Sequence, residues 1–183
     1  MCSLCISTLF SYVPIRALYT KKQPTNTPGR RRSGDARVVL AYVFWHRPHT
    51  ADGYEAALER FHAGLRNNPP PGFVSSWWSR IPPMPWLPAA PPGQVSLIED
   101  WYMVEDFTAL GELNDAAVTQ TVREHDEVAA LSGFGTAGLY RLVAGDPVPG
   151  TSEWSATPPA EGNVWRRVMV LGPAPEYCRQ RVR

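Results

Sequence analysis

The chain has few of the residues from which several common site types are built. Its 183 residues include three cysteines, of which Cys2 and Cys5 have the spacing of a metal or redox motif. No second such pair and no histidine pair accompanies them, so a four-ligand zinc site lacks partners. Three cysteines also cannot form a disulfide framework. We therefore expect no metal, and the cysteine usage fits a reducing, cytoplasmic setting.

Long apolar runs and the signature loops of two large enzyme groups are also missing. No segment reaches the ~18 apolar residues of a membrane-spanning helix, so no membrane partner is expected. Gly133, Gly135 and Gly138 do not have the GxGxxG spacing, and no helix is predicted after them. The chain has no GxSxG motif, and no cysteine lies between 37 and 147 to act as a nucleophile. Hydrolase and nucleotide-dependent chemistry are therefore disfavoured, and no cofactor is expected.

Lysine is scarce, and charge is distributed unevenly along the chain. Both lysines, Lys21 and Lys22, lie in the first 34 residues, together with four arginines and no acidic residue. Residues 37–147 carry seven arginines against thirteen acidic residues. An acidic domain argues against a nucleic-acid partner, because affinity for a phosphate backbone depends on clustered cations. We interpret residues 1–36 as a disordered basic arm, with a transit peptide or a mis-assigned start as the alternatives.

The segment between Arg37 and Pro147 has the residue patterns of an α+β domain. In order, the patterns predict strand, helix, strand, strand, helix and strand, with a turn signal at most junctions. This βαββαβ order is that of a ferredoxin-like unit. The strands are predicted at 37–47, 73–81, 95–104 and 136–144. The first helix is predicted at 50–67 with Thr50 as its N-cap, and Asp106 caps the second. Residues 125–131 either continue the second helix or form a short extra helix.

Two further segments follow this domain. Residues 148–163 are rich in Pro, Gly, Ser and Thr and are predicted to be a linker. Residues 164–183 contain one convincing extra strand, Val164–Leu171. Because a lone strand needs a partner sheet, it either lies along an edge of the first unit or of a dimer mate, or begins an incomplete second unit. We favour the incomplete second unit.

The order of elements, together with two short acidic and aromatic motifs, resembles one superfamily. The letters EDW at 99–101 lie in the third strand, and EDF at 105–107 opens the following helix. With the strand order, they resemble the dimeric α/β-barrel superfamily, including its antibiotic-biosynthesis-monooxygenase-like, EthD-like and NIPSNAP-like families. The resemblance covers about residues 37–147 and implies a homodimer whose sheet faces pack into an α/β barrel with a cavity. The haem-degrading pattern is not matched, because residues 106–131 contain His125 but no Trp.

Two functions remain open for such a pocket protein. The resemblance implies a cofactor-independent monooxygenase acting on an aromatic or polyketide-like substrate; the alternative is a non-catalytic dimer that binds a small hydrophobic or aromatic ligand or a protein. The candidate catalytic residues are His46 and His125, because histidine exchanges protons near neutral pH. A solvated surface position is the alternative for both. Glu99 and Asp100 are neighbours on a strand, so they point to opposite faces and do not form a carboxylate pair.

Aromatic side chains are the strongest candidates for a pocket wall. Neighbouring Trp77 and Trp78 point to opposite faces of their strand, so one packs on helices while the other faces the cavity or the dimer mate. Aromatic walls with few polar groups suit a flat organic ligand, although the same residues also suit a core or an interface. Arg80 either binds an anionic group, pairs with Asp100 or lies at the surface. The predicted substrate-binding residues are Trp77, Trp78, Arg80, Trp101 and Tyr102.

Overall fold

A computed structural model describes residues 39–90, 97–169 and 172–181 of the chain. The predicted basic arm over 1–36 therefore lies outside the described residues. No helix among the described residues is long and apolar enough to cross a membrane. The elements are β1 (Leu40–Pro48), α1 (Tyr54–Asn67), β2 (Phe73–Ile81), β3 (Leu97–Val104), α2 (Phe107–Thr119), α3 (Val122–Leu131), β4 (Ser132–Ala144), β5 (Thr151–Ser155), β6 (Asn163–Met169) and β7 (Tyr177–Arg181).

The described strands form one antiparallel sheet in the order β2-β3-β1-β4-β6-β7-β5. Its first half, β2-β3-β1-β4, has the strand order of a ferredoxin-like unit, and all three helices pack on one face of it. The predicted α+β class and the ferredoxin-like order of elements are therefore confirmed for this part of the chain. The central strand, β1, pairs with both β3 and β4.

The helix boundaries follow from local capping. Helix α1 begins after Gly53, whose φ of 76° is a left-handed conformation that glycine adopts without strain. The predicted N-cap at Thr50 is therefore wrong; its hydroxyl accepts from the backbone N–H of Asp52 in the preceding turn. Asp106 caps α2 as predicted, and its carboxylate accepts from the backbone N–H of Ala109 at 2.9 Å. The next residues form a separate helix, α3, which was one of the two predicted alternatives.

Alternate residues of the central strands face opposite sides of the sheet and build two cores. On β1, Leu40 and Tyr42 pack toward the helices, whereas Val43 and Trp45 pack on the other face, as their alternation predicts. The helix-side core includes Leu40, Tyr54, Leu58, Phe61, Leu65, Ile98, Tyr102, Val104, Leu113 and Leu139. The strand-side core includes Val43, Trp45, Leu97, Trp101, Met103, Tyr140, Trp165 and Cys178, with Trp154 packed against it.

The C-terminal strands cover the sheet face that lies opposite the helices. The sheet curls until β5 reaches β3, where the indole N–H of Trp154 donates to Glu99 at 2.8 Å and the Ser152 hydroxyl donates to the same carboxylate. Trp45 and Trp101 are wholly buried on this face within the single chain. The chain's own strands thus occupy the face for which the sequence suggested a second copy. A homodimer through that face stays a prediction.

The region after β4 differs from its predicted organisation. The linker predicted over 148–163 contains β5, which gains its backbone partners from β7. The lone C-terminal strand is also corrected, because β6 pairs with both β4 and β7 and so extends the first sheet. The pairing corresponds to the first alternative, in which the strand lies along an edge of the first unit. Composition suggested a linker because a five-residue strand between Pro- and Gly-rich turns has few signals of its own.

Candidate functional site

A cavity of about 480 Å³ lies between the helices and the sheet. It is formed by the helix-facing sides of β1 and β3 and by α2 and α3, with contributions from α1, β4 and β6. The apolar side chains that line it include Phe44, Phe61, Phe107, Leu113, Leu139 and Met169. The polar side chains that line it are Tyr42, His46, Asp100, Tyr102, Asn114 and His125.

One wall of the cavity depends on a glycine in β4. Gly135 pairs with His46 of β1, and a Cβ atom at Gly135 would lie 2.3 Å from the ring of Phe44. A residue without a side chain therefore lets Phe44 lie across β4 and line the cavity. The Phe44 ring in turn stacks on the His46 imidazole, with centroids 4.8 Å apart. This packing fixes the orientation of His46.

A buried carboxylate, Asp100 of β3, organises the polar end of the cavity. It is 1% exposed, and its Oδ2 accepts a hydrogen bond from the Tyr102 hydroxyl at 2.5 Å. His62 Nε2 lies 2.9 Å from Oδ1, and His46 Nε2 lies 3.6 Å from Oδ2. Burial alone would raise the pKa of Asp100, but the positive charge and hydrogen bonds of the protonated His62 and His46 imidazoles outweigh it and hold the pKa at about 2. The carboxyl group is therefore ionised at neutral pH.

His62 of α1 holds Asp100 from the helix side. Its Nδ1 lies 2.7 Å from the Ser76 hydroxyl, and its ring stacks on Tyr102 with centroids 5.1 Å apart. If the hydroxyl donates to Nδ1, the proton of the neutral imidazole lies on Nε2, the atom beside the Asp100 carboxylate. The angle between Nε2 and that carboxylate is not that of a straight hydrogen bond. His62 is wholly buried and does not line the cavity, so it positions Asp100 rather than a ligand.

His46 of β1 is held in one tautomer by a relay of hydroxyl groups. Its Nδ1 lies 2.5 Å from the Tyr54 hydroxyl, which lies 3.0 Å from the Ser132 hydroxyl. Ser132 donates its own proton to the carbonyl oxygen of Val128 at 2.9 Å. Every contact is satisfied when the Nδ1–H of His46 donates to Tyr54 and Tyr54 donates to Ser132. In the neutral imidazole, this assignment, made by counting donors, places the proton on Nδ1 and leaves Nε2 to accept a proton.

The Nε2 atom of His46 is the strongest candidate base in the described part of the chain. It is buried and has no hydrogen-bond partner among the described residues. His46 lines the cavity together with Asp100, whose carboxylate lies 3.6 Å from Nε2. A proton taken from a ligand would create an imidazolium beside an ionised carboxylate, which stabilises it. The arrangement therefore suits proton abstraction from a bound molecule.

Three tyrosines around Asp100 stay protonated at neutral pH. Burial, followed by the negative charge of Asp100, raises the pKa of Tyr42 and Tyr102. Burial also raises the pKa of Tyr54, with smaller effects from Ser132 and Asp100. All three are therefore neutral phenols rather than phenolate bases. Tyr42 and Tyr102 line the cavity, so their rings and hydroxyl groups meet a bound ligand.

His125 of α3 lies on another wall of the same cavity. Its side chain is 15% exposed, and its Nδ1 lies 3.3 Å from the carboxylate of Asp126, the next residue in the chain. Its ring contacts Phe61 with centroids 6.0 Å apart. His125 therefore faces the ligand space from a partly solvated helix, whereas His46 is held from two sides in a buried network.

The structure brings together some of the predicted site residues and separates others. His46, His125 and Tyr102 line one cavity. Trp77 and Trp101, predicted to bind substrate, instead stack on each other in the strand-side core, with centroids 5.4 Å apart. Trp101 is buried there against Trp154 and Trp165 of the C-terminal strands, and Trp77 is half-buried beside it. Their role in substrate binding stays a prediction.

Trp78 and Arg80 contact helix α1 instead of the cavity. The indole N–H of Trp78 donates to Glu59 at 3.2 Å. Arg80 is mostly exposed, and its Nε donates to Glu55 at 2.5 Å. Neither residue lines the cavity, and their role in substrate binding stays a prediction. The alternative pairing of Arg80 with Asp100 is wrong, because two imidazoles and a phenol already surround that carboxylate.

Five members of the polar network were not predicted as site residues: Asp100, Tyr54, His62, Ser76 and Ser132. Tyr54 and His62 both lie on the buried face of α1. A histidine on an otherwise apolar face is a signal that sequence reasoning can use, because a buried polar group needs a partner. The partner of His62 could not be predicted, because Asp100 lies far away in the sequence, on β3.

The histidines and acids of the described ranges do not form a metal centre. No group of three or more His, Cys, Asp or Glu side chains there is arranged to hold a metal ion. At Asp100 the carboxylate lies between the two imidazoles, with His62 at Oδ1 and His46 at Oδ2. The three side chains therefore contact each other rather than surround a common point.

Comparisons with known proteins show a distant likeness to a solved structure. No protein-family model matches the chain, and no curated protein matches it. Among solved structures, the chain is similar to a mutant form of SnoaB, a cofactor-independent oxygenase from Streptomyces nogalater. The two are 18% identical with a TM-score of 0.42, over 62% of this chain and 99% of the SnoaB chain. So distant a likeness carries no functional argument.

Proposed function

We propose that the chain is a small-molecule enzyme, a cofactor-independent monooxygenase that acts on an aromatic or polyketide-like substrate in the helix-side cavity. One observation carries the proposal. His46 presents a buried Nε2 without a hydrogen-bond partner among the described residues, at the cavity wall and 3.6 Å from the ionised Asp100. A base in that position has a ligand as its natural partner.

The size and lining of the cavity support a flat organic ligand. Its volume of about 480 Å³ lies within the range of small-molecule pockets. The rings of Tyr42, Phe44, Phe61 and Tyr102 line it, and several of its polar groups converge near Asp100. A ligand would place its apolar rings among these side chains and its acidic group at the polar end.

The first chemical step is a proton transfer to His46. A C–H group made acidic by conjugation gives its proton to Nε2, and the electron pair stays on the substrate. Asp100 stabilises the imidazolium that forms, while the Nδ1–H of His46 remains bonded to Tyr54. The buried network therefore lowers the cost of forming a substrate anion in an apolar cavity.

The substrate anion then supplies all the electrons that oxygen needs. Dioxygen bonds to the carbon that lost its proton, and the resulting peroxide takes the proton back from His46. Loss of a second hydrogen from that carbon, with cleavage of the O–O bond, leaves a carbonyl group and releases water. A methylene carbon thus loses two hydrogens and gains one oxygen, and the second oxygen atom leaves as water.

Replacing His46 by glutamine tests this function. His46→Gln keeps a polar side chain but removes the proton acceptor, so we expect kcat to fall by about 100-fold or more. The measurement is oxygen uptake with 1,8-dihydroxy-9-anthrone, an aromatic probe with an acidic methylene group, corrected for its spontaneous oxidation. His49→Gln is the matched control, because His49 is an exposed histidine that does not line the cavity. A folded His46→Gln variant that turns over the probe at the wild-type rate would contradict the proposed role.

The alternative function is ligand binding without a reaction. The mostly apolar lining of the cavity suits binding of an apolar ligand, which needs no proton acceptor. The same assay separates the two functions, because a pure binding protein retains the probe and consumes no oxygen.

A further inference from the structure

We propose that the helix-side cavity selects uncharged aromatic ligands and rejects anions such as carboxylates, sulfonates and phosphate esters. This inference rests on the cavity of the proposed function and adds the charge class of its ligand. It holds whether or not the ligand is turned over.

In the described part of the chain, the interior of the cavity offers no lysine or arginine to an anionic group. None of the described residues that line it is a lysine or an arginine. The carboxylate of Asp100 is the permanent charge at its wall, and Tyr42 and Tyr102 beside it are neutral phenols. An anionic ligand would lose its hydration on entry and meet a buried like charge instead of a counterion.

The helices around the cavity add negative charge. Helices α2 and α3 carry one basic residue, Arg123, against five acidic residues: Glu112, Asp115, Glu124, Asp126 and Glu127. The nearby arginine of α1, Arg60, forms an ion pair with Glu127 outside the cavity. The two helices that form one wall of the cavity therefore carry a net negative charge, which repels an anionic ligand.

The same geometry favours a neutral ligand over a cation. A cation would need a free carboxylate oxygen, but Asp100 is 1% exposed, and Tyr102, His62 and His46 surround both of its oxygens. A neutral hydroxyl or carbonyl group needs only the polar atoms at this end of the cavity, and its rings fill the aromatic part.

A pair of fluorescent probes that differ by one sulfonate group tests the selection. N-phenyl-1-naphthylamine is neutral, and 8-anilino-1-naphthalenesulfonate is its anionic counterpart. The full chain is titrated with each probe at pH 8, where an ordinary imidazole is uncharged. We expect the neutral probe to bind at least about tenfold more tightly than the sulfonate.

Adding one cation to the cavity wall separates charge from simple hydrophobicity. Asn114 of α2 lines the cavity and lies outside the His46 network, so Asn114→Lys supplies a positive charge without breaking that network. We expect it to tighten binding of the sulfonate by about tenfold and to change binding of the neutral probe by less than about threefold. Thr119→Lys, at an exposed position of the same helix that does not line the cavity, should change neither.

Two outcomes would overturn the inference. One is equal affinity of the wild-type chain for both probes; the other is an Asn114→Lys variant, folded by circular dichroism, that binds the sulfonate no better. Either result leaves the proposed function standing if His46→Gln still abolishes oxygen uptake. The converse result is that the wild-type chain prefers the neutral probe while His46→Gln consumes oxygen at the wild-type rate. That result would support the charge selection and contradict the proposed chemistry.

Discussion

Two carboxylates that follow each other in β3 have opposite surroundings. Glu99 and Asp100 are each 1% exposed, but they point to opposite faces of the sheet. Glu99 lies in the strand-side core and accepts only neutral donors: the indole N–H groups of Trp45, Trp101 and Trp154 and the hydroxyl of Ser152. Asp100 lines the helix-side cavity and meets two imidazoles and a phenol.

The difference shows how one sheet can build a structural face and a chemical face. Indole N–H and serine O–H groups do not ionise near neutral pH, so the contacts of Glu99 serve to hold the strands together. Imidazoles do exchange protons in that range, so Asp100 can stabilise a charge that appears and disappears on His46. The first face is filled with aromatic side chains, whereas the second is hollow beside its carboxylate.

The largest expected effect of a single substitution is on the filled face. Oε1 of Glu99 accepts from Trp101 and Ser152, and Oε2 accepts from Trp45 and Trp154. In Glu99→Gln one of these oxygens becomes an NH2 group that faces two donors, so we expect the free energy of unfolding to fall by about 3 kcal/mol. Urea denaturation followed by tryptophan fluorescence measures the change.

The control for this loss is an exposed glutamate of the same C-terminal strands. Glu153 pairs with Arg179 and Arg181 and is about 40% exposed on its side chain. Glu153→Gln should lower the free energy of unfolding by less than about 1 kcal/mol, because exposed ion pairs contribute little. Equal losses for the two variants would mean that Glu99 does not hold β5 onto β3.

On the hollow face, the ionisation of Asp100 should make stability depend on pH. Its pKa is about 2 in the folded chain, below the ordinary value of 3.8, so its contribution is present above about pH 4. That contribution, about 2 kcal/mol, should be lost as the pH falls from about 4 to about 2. Unfolding free energies measured through this window for the wild type and Asp100→Asn test the effect. The wild type should lose more stability than the variant; parallel curves would contradict the assigned pairing of Asp100 with His62 and His46.

The relay behind His46 should affect catalysis more than stability. Tyr54→Phe removes the acceptor of the His46 Nδ1–H, so the tautomer with a free Nε2 is no longer favoured. We expect kcat to fall by about tenfold with little change in KM, and stability to fall by about 1 kcal/mol.

A tyrosine of the filled face provides the comparison. The Tyr140 hydroxyl donates to the carbonyl oxygen of Pro175 at 2.9 Å in the strand-side core. Tyr140→Phe should cost about as much stability, near 1 kcal/mol, and leave kcat unchanged. If both variants affect kcat alike, the relay has no special role.

The smallest expected effect is a gain in stability at the cavity wall. Gly111 lies in α2, and a Cβ atom there would meet nothing within 4 Å. Gly111→Ala should therefore raise the free energy of unfolding by about 1 kcal/mol, because glycine is unfavourable inside a helix. Thermal unfolding measures the gain, and a loss of stability would show that the helix is more tightly packed at this position.

Much of the helix-side architecture could be predicted because its signals are local. Alternation along β3 correctly separated Glu99 from Asp100. The helix predicted at 50–67 and the cap at Asp106 correspond to helices that cover this face. His46 and His125 were named from the chemistry of histidine, and both line the cavity.

The strand-side cover and the polar network could not be predicted, because both depend on contacts between distant segments. β5 is short, and its pairing with β7 is not visible in composition. Without that cover, the tryptophans of the strand-side face were read as pocket walls or as an interface with a second copy. The approach of His62 and Tyr54 to Asp100 and His46 likewise follows only from the packing of α1 on the sheet.

Binding of N-phenyl-1-naphthylamine to the wild type and to Ala117→Leu is the most direct test that the helix face is hollow and the strand face is filled. Ala117 is buried and lines the cavity, so a leucine there occupies ligand space without touching the strand-side core. The account predicts one binding site on the wild-type chain and a loss of affinity of about tenfold or more in Ala117→Leu. Equal binding by two folded proteins would contradict it.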